Sequence, residues 1–118
     1  MFRETPPDAF MTMDLGAART VVGISVLYAV TNRKRAYITA YKLSHSLGPK
    51  NSDDFTYWIN PDTGALIFTG ISSADQDSAL SLFEPQSVRT VKIEPQSFVT
   101  AMAFRLILMF CSGKFSEK

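Results

Sequence analysis

The sequence predicts an α+β fold: an antiparallel sheet of about five strands, with a short helix and an apolar C-terminal helix against a face. Three observations lead there: period-two alternation from Thr20 to Val30, a turn motif at Asn60–Gly64, and an almost wholly apolar stretch from Phe98 to Cys111. If that last stretch is extended rather than helical, the same pattern gives an all-β sandwich.

With 118 residues the chain falls in the single-domain range, so one domain over 1–118 is expected. A chain of this size buries roughly two-thirds of its unfolded surface, enough for a core without disulfides or metals. The composition, 46% hydrophobic and 19% charged, supports a packed core. Its charged share lies below the usual quarter, which favours a covered or self-associating surface.

Residues 1–19 read as an N-terminal helix or arm. Thr5 can cap a helix, Pro6 and Pro7 suit its first turn, Asp8 complements its dipole and Gly16 can end it. In the strand that follows, Val22, Ile24, Val26, Tyr28 and Val30 share one face, with Val21, Gly23, Ser25, Leu27 and Ala29 on the other. The polar run Thr31–Arg35 turns the chain, and Ala36–Leu43 returns with Tyr37, Thr39, Tyr41 and Leu43 on one side.

A loop from Ser44 to Asp54 leads to a short strand, Phe55–Ile59. Asn60-Pro-Asp-Thr-Gly64 is the strongest local signal in the chain. Proline sets the first turn angle, Asn and Asp bond to nearby backbone, and Gly64 accepts a positive φ. Such a turn closes a hairpin onto Ala65–Gly70.

Ser73-Ala-Asp-Gln76 matches a capping box, so a short helix is expected over 74–82, stopped by Pro85. Glu84-Pro-Gln-Ser and Glu94-Pro-Gln-Ser then repeat at a ten-residue interval, each read as the entry to a new element. Ser97 can cap a final helix rich in Ala, Met and Leu, which Gly113 and Lys114 would end. Length favours helix over strand here. A helix apolar on all sides must be covered, and Phe104 and Leu108 are its candidate interface residues.

Charge is segregated although the net charge is only +1. Between Leu15 and Ser52 lie Arg19, Arg33, Lys34, Arg35, Lys42 and Lys50 with no acid. Between Asp53 and Glu84 lie Asp53, Asp54, Asp62, Asp75, Asp77 and Glu84 with no Lys or Arg. Pairing of the two blocks as surface salt bridges is the plain reading. No membrane span is expected, because the longest apolar run has 14 residues and contains Arg105. The first twenty residues lack a secretory pattern, so a cytoplasmic or virion location is expected.

Conventional chemistry finds few parts. His45, between Ser44 and Ser46, is the only histidine, and Cys111 is the only cysteine. One of each excludes a zinc cluster and any internal disulfide, and the six glycines are too scattered for a phosphate loop. Asp53-Asp54 and Asp75-Gln-Asp77 lack the pattern of a calcium loop. No cofactor, metal or catalytic residue is therefore expected.

Two groups of residues point to binding. Arg33, Lys34 and Arg35, with Tyr37, Tyr41 and Lys42 on the following strand, combine phosphate-holding cations with rings that could stack bases of single-stranded nucleic acid. Trp58, with Asn60 and Asp62 beside it, could stack on a sugar or anchor an interface if its ring lies outside. The leading functional expectation is a non-enzymatic, self-assembling structural protein, a small viral or phage coat-type subunit with itself as partner. The alternative is a binding module for nucleic acid or carbohydrate, and the third reading is a small enzyme with no assignable site.

Overall fold

The computed structural model describes the backbone of residues 2–4 and residues 10–111. Its strands are β1 (Phe2–Glu4), β2 (Met11–Leu27), β3 (Ala29–Thr31), β4 (Lys34–Ser46), β5 (Thr56–Tyr57), β6 (Phe68–Thr69), β7 (Ser78–Val99) and β8 (Arg105–Phe110). All pairings are antiparallel. The order is β3-β4-β7-β2-β8, with β1 also on β7 and with β5 and β6 also on β4. No helix occurs among the described residues, so the α+β expectation is overturned and the all-β alternative describes the chain.

Two long strands organise the sheet. β7 pairs through Ser78–Ile93 with β2 and through Thr90–Val99 with β4. β2 pairs through Val21–Leu27 with β8. Both long strands slip register on the way. The β2 ladder jumps from Asp14 to Arg19, where Gly16 takes φ +83° and donates its N–H to Asp14 Oδ1 at 2.9 Å. Gly16 thus makes a bulge, not a helix end, and Arg89 clamps it by donating to the same carboxylate. A second slip at Val22 brings Val21 onto the buried face of Ile24 and Val26, against the simple alternation read from sequence.

The bends fold the sheet on itself. Val21, Ile24 and Val26 of β2 share one core with Ile38, Tyr41 and Leu43 of β4, and with Val88, Val91 and Ile93 of β7. The Tyr41 hydroxyl crosses this core to donate to Ser81 Oγ at 2.9 Å. Phe68 stacks on Tyr41 and meets Phe83 edge-on, at centroid distances of 5.7 and 6.0 Å. Fully burying each aliphatic side chain contributes about 1.5–3 kcal/mol, so this cluster dominates the stability.

The predicted helix over 74–82 is replaced by a turn and the start of β7. Gln76 does accept from Ser72 N and Oγ, and its N–H reaches Ser73 O, but the turn stops there and Ser78 enters the ladder against Leu27. Both Pro-Gln-Ser copies lie within the single strand β7. Pro85 sits in the irregular stretch opposite Val22, and Pro95 beside the slip at Ala40–Tyr41. Proline, lacking an N–H, is tolerated in strands at such bulges.

The predicted C-terminal helix is a turn followed by β8. Thr100 at φ +71° breaks the run, and Leu106, Leu108 and Phe110 then alternate inward against the core. The N-terminal helix expected within 1–19 is also corrected: Phe2–Glu4 and everything from Met11 onward are strand, while 5–9 lie outside the described residues. The turn after Thr31 is a two-residue hairpin loop, with Asn32 and Arg33 at φ +50° and +65°, but it joins β3 to β4 rather than the long strand.

Candidate functional site

The Asn60–Gly64 turn builds one wall of an open cleft. Asn60 is buried, and its carbonyl accepts from Thr63 N at 3.2 Å and Gly64 N at 2.8 Å. Its N–H donates to Ala65 O at 2.8 Å, Nδ2 donates to Ile67 O at 3.1 Å, and Oδ1 accepts from Asp62 N at 3.0 Å. Gly64, at φ +76°, reverses the chain as its type requires. The flanking strands do not form the expected hairpin with each other; β5 and β6 each add to β4 instead.

This turn stands over Leu80–Leu82 of β7, which among the described residues pair only with β2. Between them lies an open cleft of about 490 Å³, lined by Asn60, Pro61, Asp62, Thr63, Thr69, Leu80, Ser81 and Leu82. Period-two pleating turns Ala79 and Phe83 into the core and leaves Leu80 and Leu82 outside, 58% and 59% exposed. The cleft therefore offers hydroxyls, one carboxylate and an apolar rim. Asn60 holds the loop with both ends of its amide, while the Asp62 carboxylate projects into solvent.

Trp58 lies elsewhere from where a stacking platform would need it. Its ring is 4% exposed, packed between His45 at 4.5 Å and Phe83 at 4.4 Å, and Nε1 donates to Glu84 O at 3.3 Å. Partial burial pushes the His45 imidazole below its ordinary pKa. Phe104 helps line a small apolar hollow with Phe10, Met11, Pro95 and Met102, and Leu108 packs toward the core from β8.

The basic turn is only partly assembled. Arg33 and Lys34 are exposed at the hairpin tip. Arg35 is held back: Nη1 meets Asp77 Oδ1 at 3.0 Å and donates to Ala74 O, and its guanidinium lies 3.9 Å over Tyr28. This pair joins one member of the basic block to one of the acidic block. Tyr37 and Tyr41 are buried, so their rings offer no free face to a base. Burial raises the Tyr41 hydroxyl to a pKa of about 12. Lys42 stands seven strand residues beyond Arg35, roughly 23 Å along the sheet, over the Tyr57 ring.

Asn60 and Asp62, singled out from the sequence as neighbours of an exposed Trp58, line the cleft although that ring is buried, and Thr63, Thr69, Ser81, Leu80 and Leu82 were not singled out. Alternation from Ala79 to Phe83 was the available signal, and it competes with the capping-box pattern just before it. Among the described residues no cluster of three or more His, Cys, Asp or Glu could hold a metal ion, and no helix is long and apolar enough to cross a membrane.

No known family model and no curated relative matches the chain. Solved structures do. The chain is similar to chitosan-binding module 2, in complex with chitotriose, derived from a chitosanase/glucanase of Paenibacillus sp. IK-5. The TM-score is 0.61 at 14% identity, over 91% of this chain and 73% of that one. It is also similar to a mutant of chitosan-binding module 1 from the same enzyme, with TM-score 0.57 and 15% identity, over 90% and 67% of the two chains. The solution structure of module 1 gives 0.55 at 14% identity, over 89% and 73%. The chain shares their fold. At these identities the likeness extends to the fold alone.

Proposed function

We propose that this protein is a non-catalytic carbohydrate-binding module and that the cleft beneath the Asn60–Gly64 turn is its sugar site. The observation that carries this reading is the cleft's composition on a rigid frame. Asp62, Thr63 and Thr69 line the cleft together with the exposed Leu80 and Leu82. Sugars need both: hydrogen-bond partners for hydroxyls, and an apolar surface for their C–H faces. Similarity to modules described as chitosan-binding supports the class.

Glycoside hydrolysis ordinarily needs two carboxyl groups flanking the bond, and only Asp62 lines this cleft. Binding without cleavage is the chemistry these side chains can perform. The solved structures named above are described as chitosan-binding modules, and nothing in them supports the coat-type expectation.

Titration of the protein with chitotriose, followed by amide shifts in NMR, tests the assignment. Shifts should centre on Asp62, Thr63, Thr69 and Leu80–Leu82. Asp62→Ala should weaken binding about tenfold or more, the worth of a hydrogen bond to a charged group. Shifts confined to the hairpin tip at Arg33–Arg35 would place the site elsewhere.

A further inference from the structure

The β8 strand presents an edge that no other described strand covers. β8 pairs with β2 on one side, and among the described residues no strand meets its other side. Its end is anchored, with Cys111 N donating to Thr20 O at 2.9 Å, so the edge is held in place. From Leu106 to Phe110 it carries no charge, proline or glycine. Natural proteins blunt free edges with such residues, because a bare edge templates pairing with another chain. Only Arg105, at the start of β8, acts in that way.

The face beside this edge is apolar as well. Ile107 and Met109 point outward in register with Leu80 and Leu82 across the small residues Ser25 and Gly23 of β2. Ile107 is 54% exposed. Stacking this face on its own copy is not the better fit. Four half-exposed side chains fall well short of the ~800 Å² that each partner contributes to a standard interface. Edge pairing satisfies backbone donors and acceptors that stacking would leave unpaired.

The geometry points to a second copy of this chain as the occupant of the β8 edge, joined antiparallel about a two-fold axis at Leu108. Opposed residues in an antiparallel ladder share a face, so a two-fold normal to the sheet must centre on a residue. Centring on Leu108 sets Leu108 against itself, Ile107 against Met109 of the other copy, and Leu106 against Phe110. Every pair is then apolar. The two Arg105 side chains fall beyond the ladder at opposite ends, roughly 20 Å apart along the strands and clear of one another's field. The strand order then runs β3-β4-β7-β2-β8 in one copy and continues β8-β2-β7-β4-β3 in the second. Because the interface is small, the dimer is weak and reversible. Leu80 and Leu82 lie on the far strand from the new contact, so the clefts of both copies stay open.

The test is sedimentation velocity of the intact protein across a concentration series, with Ile107→Lys and Met109→Glu as variants. Circular dichroism checks that each variant folds, which its exposed position allows. The wild type should show a reversible monomer–dimer equilibrium that each single variant weakens at least tenfold. Mixing the two variants should restore association as a heterodimer, because the ammonium introduced in one copy then faces the carboxylate introduced in the other across the axis. A wild type monomeric at every concentration overturns the proposal. So does a dimer indifferent to both substitutions, or one abolished by Leu80→Lys and untouched at Ile107, which would mean stacked faces or a different partner strand.

Discussion

Replacing Asn60 with Ala tests whether one amide holds the cleft together. The side chain makes two hydrogen bonds, from Nδ2 to Ile67 O at 3.1 Å and from Asp62 N to Oδ1 at 3.0 Å. Each contributes about 1 kcal/mol net, and the buried Asn60 site gives the abandoned partners little access to water. The expected loss is therefore roughly 2–3 kcal/mol, a large part of the 5–15 kcal/mol typical of a domain. Urea titration should show it as a midpoint lowered by about 1 M at unchanged slope. Asn60→Asp separates the two bonds. It keeps the acceptor for Asp62 N but turns a carboxylate oxygen toward the Ile67 carbonyl, so it should cost at least as much as Ala. Both variants should also weaken chitotriose binding, because Asp62 and Thr63 lose their fixed positions. A midpoint within experimental error of wild type for both variants would refute the view that Asn60 organises this loop.

Two other outcomes follow from buried geometry. Gly70→Ala should destabilise the protein by more than about 1 kcal/mol in the same urea assay, because an added Cβ would strike the Ile38 carbonyl that receives the Ile71 N–H. In His45, partial burial lowers the folded-state pKa beneath 6.5, so the unfolded chain takes up a proton first as pH falls. The imidazole's contribution is then intact above pH 6.5 and is lost as pH drops below it; His45→Gln should flatten the dependence of thermal midpoint on pH across that window.

Local chemistry made part of this molecule legible. Asn60-Pro-Asp-Thr-Gly64 specifies its turn through angles and hydrogen bonds within five residues, and the structure shows that turn with Gly64 at positive φ. The Thr31–Arg35 reversal was similarly readable, since polar residues there have no apolar face to bury. Strands were harder. Ala79-Leu80-Ser81-Leu82-Phe83 suits either a buried helix turn or a two-faced strand, and the capping-box residues Ser73 and Gln76 favoured the helix. Its ladder partners, Gly23–Val26, lie more than fifty residues away, so nothing nearby could break the tie.

The cleft and the β8 edge divide between sequence and tertiary structure in the same way. By itself the sequence determined the turn that carries Asn60 and Asp62, the apolar character of Phe98–Cys111, and the scarcity of His and Cys that removes most metal and thiol chemistry. Tertiary structure decided that the apolar stretch ends β7, turns and returns as β8, that Trp58 is buried, and that Thr69 and Leu80–Leu82 meet the turn. A turn satisfies its hydrogen bonds within itself. A strand satisfies them only on a distant partner, so both the sheet and the site between its strands come into being when the chain folds back on itself.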